Sequence, residues 1–302
     1  MVDGADEQVV RAEWEVSRMG TAPDYAVVIL TWNSRRHVEA CLTSLREAAP
    51  GRSAQLIVID NGSEDGTPDL VRTCAPEAEL IRNDANRGVA PARNQGLERV
   101  RAPVAIVLDV DTVVEPNALG RLLDYLDAEP SVGLCGPRLV LPDGGVQPSC
   151  QLFPTLRDKL ARQLPRRLGE SFLREVELAS FDHRGTRDVD YVVGACQVIR
   201  MSALRAIGGL DDRIFYGPED VDLCLRLQLA GWRVVFVGEA LVHHECQRVT
   251  RWRLGKLAWR HLGGLLHFYR THGYLWSREG LYRRIAAARR LGMGEGTWSS
   301  AG

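Results

Sequence analysis

Asp109 and Asp111 stand one residue apart where an apolar run, Val104-Ala105-Ile106-Val107-Leu108, comes to an end. Five apolar residues without polar alternation suit a strand covered on both faces, as in a parallel α/β sheet. Ligands of such sheets bind beyond the carboxyl ends of the strands. Two carboxylates there can hold Mg²⁺ or Mn²⁺, with substrate phosphates completing the octahedron. Because D-x-D is a common tripeptide, the reading rests on its place at a strand end.

Four further groupings carry chemistry. Gly217-Pro218-Glu219-Asp220 sets two acids in the first turn of a helix. They either compensate the helix dipole or supply a general base. Asp60-Asn61-Gly62-Ser63 ends a strand, where Asp60 either makes an Asx-turn or accepts hydrogen bonds from a base or ribose. The segment from Asn86 to Asn94 offers a helix N-terminus with Arg87 and Arg93, suited to a diphosphate or to a solvated surface. His243-His244 follows a buried strand and could add a nitrogen ligand. A lone histidine there is more often simply hydrogen-bonded, and two in tandem shift that only slightly, because neighbours on a strand point to opposite faces.

The elements that must position these groups follow from periodicity. Strands are expected at 25–30, 56–59, 79–82, 104–108 and 233–237. Helices are expected from about Ser34, over 67–74, through Asn94 and Leu97, over 203–207 and over 218–230, the last closed by Gly231. Strand and helix alternate at short intervals over the first 130 residues, the pattern of βαβ units. Residues 142–190 change character: a turn at 142–145, extended chain at 151–155, a basic helical stretch at 157–178, then an apolar segment at 189–196. The expected organisation is a polar leader (1–22), an α/β domain (23–245) with a nucleotide-binding half (23–130) and an acceptor half (131–245), and a basic helical extension (246–302).

With 302 residues, a hydrophobic content of 45% and a net charge of -1, the chain lacks a general nucleic-acid surface. Seven scattered cysteines, none spaced as C-x-x-C, fit reduced thiols better than a disulfide frame or zinc site. The first 22 residues have neither signal-peptide nor transit-peptide character. No apolar run reaches 18 residues. A cytoplasmic location is expected.

Taken in order, the segments VVILTWNS, VIDNGSEDGT, NRGVAPARNQGL, LDVDT, PDGGVQPSCQLFP, VVGACQVIR, IGGLDDRIFYGPEDVDLCLRLQLAGW and ALVHHE resemble a family 2 glycosyltransferase of GT-A fold. The resemblance runs from about Tyr25 to His244 and points to the bacterial rhamnosyltransferase-like, or WcaE-like, branch. It implies a Rossmann-like, mostly parallel sheet flanked by helices. It also implies an inverting transfer from a nucleotide-sugar donor (dTDP-, UDP- or GDP-linked) to an acceptor hydroxyl on a glycan, lipid-linked saccharide or natural product. Thr31, Asp60, Asn86, Arg93 and Asp109 would bind the donor nucleotide. Asp109 and Asp111 would hold Mg²⁺ or Mn²⁺, with one of His243 and His244 completing the site; spacing leans to His243. Asp220, with Glu219 beside it, would be the base. Gly194 and Ala195 would approach sugar or acceptor through their backbone. Asp109 is a departure, since this branch often has a neutral residue there, and its acidity favours metal dependence.

Two other readings compete. Asp109-Val110-Asp111-Thr112-Val113 also fits the nucleophile motif of haloacid dehalogenase-type phosphatases. That fold begins with the motif and needs a catalytic lysine, whereas three βα units precede it here and only Lys159 and Lys256 occur. A non-catalytic sugar-nucleotide binding module is the other alternative. Finally, residues 246–290 hold 11 arginines and lysines against one acid, Glu279, with apolar residues at helical spacing from Leu254 to Tyr269. This describes a helix docked on the domain, or an interfacial helix placing the protein peripherally at the inner face of a membrane.

Overall fold

The computed structural model describes residues 22–161, 175–178, 180–245 and 256–294. All but the last residue of the expected leader, much of the 157–178 helical stretch, and residues 246–255 and 295–302 lie outside the described residues. Apolar runs become strands, and amphipathic stretches become the helices that cover them. The first half runs β1 (Tyr25–Thr31), α1 (Arg35–Ser44), β2 (Ala54–Asp60), α2 (Thr67–Cys74), β3 (Glu79–Arg82), α3 (Val89–Leu97) and β4 (Val104–Asp109). Then come β5 (Thr112–Val114), α4 (Ala118–Ala128), β6 (Val132–Val140), β7 (Val146–Gln147), β8 (Cys150–Gln151), α5 (Leu156–Ala161), β9 (Thr186–Asp188) and β10 (Tyr191–Val192). The chain continues through β11 (Cys196–Arg200), α6 (Met201–Ala206), α7 (Glu219–Leu229), β12 (Arg233–His244), α8 (Lys256–His272) and α9 (Glu279–Gly294).

The main sheet has the order β3-β2-β1-β4-β11-β6-β12-β5, with β7 beside β6 and β9 beside β12. Strands β3, β2, β1 and β4 are parallel, so their carboxyl ends share one edge. Register places Thr31 opposite Asp60 and Leu30 opposite Asp109. The sheet then changes direction: β11 runs antiparallel to both β4 and β6. An apolar layer packs each face, one including Ile57, Val107 and Phe236, the other Ile29, Leu108 and Leu122. Burial on both faces is why these strands lack polar alternation.

Two departures from the expected elements matter for the site. Strand β12 runs on to His244 instead of ending at Val237, because an irregularity between Val237 and Leu241 shifts its register on β6 without ending the pairing. Its last residues pair antiparallel with β5, placing His243 opposite Val113 and His244 opposite Thr112. The apolar segment 189–196 is also split. Tyr191–Val192 pairs with Cys150–Gln151 in a separate ribbon, and the chain crosses at Gly194 into β11.

The C-terminal helices are docked on this body. Phe268, Tyr269 and His272 of α8, and Leu281 and Ile285 of α9, are buried. His272 Nε2 lies 2.7 Å from Asp222 Oδ1, and Arg226 Nε donates to Asp222 Oδ2 at 2.7 Å. Asp222 belongs to α7, so this buried cluster bolts α8 to the helix that begins with Glu219 and Asp220. Removing one partner of such a cluster leaves an uncompensated charge inside. Asp222→Ala should therefore lower unfolding stability by about 3–5 kcal/mol, measured as a fall in the urea midpoint.

Candidate active site

Strand β4 delivers Asp109 as its last residue, and the turn that follows carries Asp111 into β5. The antiparallel β5–β12 pairing brings the end of β12 over this turn, where Glu245 N–H donates to Asp111 O at 3.0 Å. Side chains alternate along β12, and His244 is the one turned toward the acids. One ligand atom from each of Asp109, Asp111 and His244 lies within 4.8 Å of the others. His244 Nε2 is 3.4 Å from Asp111 Oδ1, and its Nδ1 is 2.8 Å from Gln147 Oε1. With the Gln147 amide assigned in that orientation, Nδ1 carries the hydrogen and Nε2 faces the acids. That is how an outer partner presents a metal-binding imidazole.

The lean toward His243 is corrected by this geometry. His243 points to the opposite face and pairs with Glu115 Oε1 at 2.5 Å. Gln147 was missed as a site residue. It lies in the PDGGVQPSCQ segment, whose sequence bore no signal of a histidine partner.

Burial raises the carboxyl pKa of Asp109; Arg93 opposes this, and Asp111 adds to it. Burial works against the charged His244 ring, but Asp111 and Asp109 outweigh it and raise the imidazole pKa. Two acids and one imidazole therefore share a pocket that favours positive charge. The donor set fits an oxygen-preferring divalent cation with one nitrogen ligand, whose binding would displace the Nε2 proton.

Asp220 stands on the other side of Gly194. The Gly194 N–H donates to Asp220 Oδ2 at 3.2 Å, and the Gly194 carbonyl accepts from Arg93 Nη2 at 3.0 Å. Arg93 Nη2 also binds Asp109 Oδ1 at 2.6 Å, and Asp109 N–H donates to Ala195 O at 2.9 Å. A continuous chain thus joins Asp220, the Gly194 peptide, Arg93 and Asp109. The fit at 194 is close: a Cβ there would lie 3.0 Å from Arg93 Nη1 and 3.4 Å from Asp220 Cβ, so Arg93 would have to give way by a few tenths of an ångström. Gly194 and Ala195, expected to face sugar or acceptor, use these backbone groups to join the two acidic clusters. Arg93, expected to meet the nucleotide, is only 3% exposed and holds this junction.

The remaining predicted donor residues gather at the same sheet edge and form its floor. Asp60 is buried, accepting from Thr31 Oγ1 and from Ser63 N–H, each at 3.1 Å. Asn86 Oδ1 accepts from Gly88 N–H at 2.9 Å and Asn61 Nδ2 at 3.1 Å, which shapes the loop before α3. Buried Asn61 was overlooked; it also accepts from Arg87 N–H and Asn83 Nδ2, knitting the β2 and β3 loops together. Beside this floor, Trp32 is 49% exposed. Two cavities, of about 650 and 780 Å³, lie elsewhere and include none of Asp109, Asp111 and Asp220.

Glu219 and Asp220 differ although adjacent. Glu219 Oε2 accepts from Gly217 N–H at 2.7 Å and is buried. Burial, with the neighbouring Asp220 adding to it, pushes the Glu219 carboxyl up to about 8. Burial also raises Asp220, opposed by the N–H groups of Val221 and Gly194. Burial thus raises both carboxyls, and the neighbouring Asp220 raises Glu219 further, so Glu219 holds a proton at neutral pH.

A raised folded-state pKa means that the native protein binds more protons than the unfolded chain between about pH 4.5 and 8. This contribution to stability is fully present below that window and is lost as pH rises through it. Glu219→Gln should flatten the decline, so the gap between variant and wild type shifts in the variant's favour from pH 5 toward about 8. Urea unfolding at several pH values measures it.

Residues 26–208 match the family model "Glycosyl transferase family 2". The chain is 31% identical over 267 residues to an N-acetylglucosaminyl-diphospho-decaprenol L-rhamnosyltransferase of Mycobacterium tuberculosis, covering 83% of this chain and 85% of that protein. It is 32% identical over 224 residues to a pre-mycofactocin glycosyltransferase of the same organism, covering 74% and 43%. In fold it is similar to a mannosyltransferase of Pyrobaculum calidifontis solved with GDP-Man and Mn²⁺. That likeness has a TM-score of 0.57 and 18% identity, covering 97% of this chain and 85% of that one. GalNAc-T7 solved with UDP, GalNAc and Mn²⁺ gives a TM-score of 0.56 at 16% identity, covering 78% and 45%. The fold is GT-A, and the match sets aside the phosphatase alternative. The chain belongs to glycosyltransferase family 2.

Proposed function

We propose that the protein transfers a sugar, with inversion, from a nucleoside-diphosphate donor to an acceptor hydroxyl, using a divalent cation. The observation that carries this reading is the junction at Gly194, which holds Asp220 on one side and Asp109 on the other. The donor would lie along the carboxyl edge of β1, β2 and β4, its base beside Trp32 and the Asp60 floor. Asp109, Asp111 and His244 would hold Mg²⁺ or Mn²⁺; when bound, it would offset the negative charge developing on the leaving diphosphate.

Asp220 Oδ accepts the proton of the acceptor hydroxyl as its oxygen bonds to the anomeric carbon and the bond from that carbon to the diphosphate oxygen breaks. A carboxylate suffices because the proton leaves late, with the carbon already electron-poor. Arg93 keeps Asp109 and the Gly194 peptide in place, and Glu219 holds the turn at Gly217. Similarity to the mycobacterial rhamnosyltransferase places nucleoside-diphosphate rhamnose first among donors to try, ahead of UDP- and GDP-sugars.

Donor turnover with Mn²⁺ or Mg²⁺, with and without EDTA, tests the reading. EDTA should abolish turnover. Asp220→Asn should lower transfer by about 10²–10⁴-fold while nucleotide binding stays near wild type. His244→Ala and Asp111→Asn should weaken cation-dependent donor binding, and Gln147→Ala should raise the cation requirement by about 10–100-fold. His243→Ala should leave it unchanged. Nucleotide-sugar binding without turnover of any donor would favour the non-catalytic module.

A further inference from the structure

Helix α8 has two apolar faces, and only one is docked. Gly264, Phe268, Tyr269 and His272 are buried against the body of the protein. On the opposite side Trp259, Leu262 and Leu266 are 75%, 44% and 50% exposed, at i, i+3 and i+7, so they form one stripe. Arg270 continues that stripe and is also exposed. Eleven large apolar side chains are exposed among the described residues, and seven of them lie in 256–294, including Leu275, Trp276, Tyr282 and Leu291. Such a concentration marks an interaction surface rather than scattered surface hydrophobes.

We propose that the Trp259–Leu262–Leu266 stripe of α8 seats this protein on an anionic lipid bilayer, bringing the acceptor side of the active site to the membrane surface. Charge selects this occupant. The stripe belongs to a segment with 11 basic residues and one acid over 246–290, and a second copy would meet it with the same positive charge. An anionic leaflet supplies the opposite charge and an apolar layer for the stripe, with tryptophan suited to the boundary between them. The proposed contact is a helix lying along the surface; no helix among the described residues is long and apolar enough to cross a membrane.

The docked side of α8 ties this surface to the catalytic turn. Gly264 packs against Ile214, Pro218 and the carbonyl of Tyr216, and His261 Nδ1 lies 3.3 Å from Tyr216 O. The Arg260 guanidinium sits 4.0 Å above the Phe215 ring. A Cβ on Gly217 would collide with His261. Residues 214–218 lead directly into Glu219 and Asp220, so a helix lying in the headgroup layer holds the proposed base beside it. The lipid surface stands on the exposed stripe; the acceptor consequence rests on the transferase reading.

The test uses the full chain and sedimentation with vesicles of phosphatidylcholine alone or mixed with phosphatidylglycerol. Wild type should bind the anionic mixture and not the neutral vesicles, and binding should weaken as salt rises. The triple exchange Trp259→Gln, Leu262→Gln, Leu266→Gln alters only exposed side chains. It should reduce vesicle binding by roughly tenfold or more while leaving thermal unfolding and donor hydrolysis in solution unchanged. Equal partitioning of wild type and triple variant overturns the proposal, as does equal binding to neutral vesicles. Self-association without lipid that the triple exchange abolishes assigns the stripe to a second copy and also overturns it. Absence of donor hydrolysis by wild type counts against the transferase reading alone and leaves the vesicle result standing.

Discussion

A single buried guanidinium holds the two halves of the candidate site in register. Arg93 comes from α3, in the parallel half of the sheet, and reaches both Asp109 on β4 and the carbonyl of Gly194 at the entrance to β11. A charge removed from water is tolerated only where its partners are well placed. The interior therefore selects the arrangement in which the D-x-D strand and the crossover before β11 meet at one point. The Gly194 peptide passes that placement on, since its N–H faces Asp220 while its carbonyl faces Arg93. The two acidic clusters come from segments more than a hundred residues apart, and one peptide unit joins them.

The same logic explains why α8 belongs with the active site and not to a separate appendage. The loop over 214–218 is pressed between two partners. On one side, Val89 N–H donates to Phe215 O at 2.6 Å, and Gly88 has no room for a Cβ against Phe215. On the other side stand Arg260, His261 and Gly264. The loop is thus held by the start of α3, which carries Arg93, and by α8. Displacing α8 would loosen the turn at Gly217 and, through it, the first turn of α7.

How far the sequence revealed this depends on how local each signal was. The parallel strands were legible because burial on both faces leaves uninterrupted apolar runs, and the D-x-D at the end of β4 was legible because it follows such a run. The extension of β12 to His244 was hidden, since the apolar run reads as ending at Val237 while the irregularity between Val237 and Leu241 lets pairing resume beyond it. That hidden register decided which histidine meets the acids. Arg93, Asn86 and Asp60 were read as groups presented to a ligand; partners such as Thr31 on β1, Asn61 after β2 and Gly194 before β11 lie far along the chain, which no local pattern discloses. Asn61 and Gln147 escaped for the same reason. The basic, apolar character of α8 was visible, whereas the division of its apolar residues between a docked and an exposed face was not.

The Glu219–Asp220 pair shows why residue type alone could not assign the base. Both are carboxylates at the start of one helix, and burial raises both. Were both charged, each would oppose the other, and the proposed base would have no distinct character. Glu219 lies deeper in the turn and keeps its proton at neutral pH, which removes most of that repulsion. Burial raises Asp220 as well, opposed by two backbone N–H groups. That makes it more basic than an exposed aspartate. A pair whose surroundings divide the roles in this way is what general-base chemistry requires of two neighbouring acids. Glu219 is buried against Gly217, and His261 packs over that turn, so α8 helps to shape the surroundings of the pair.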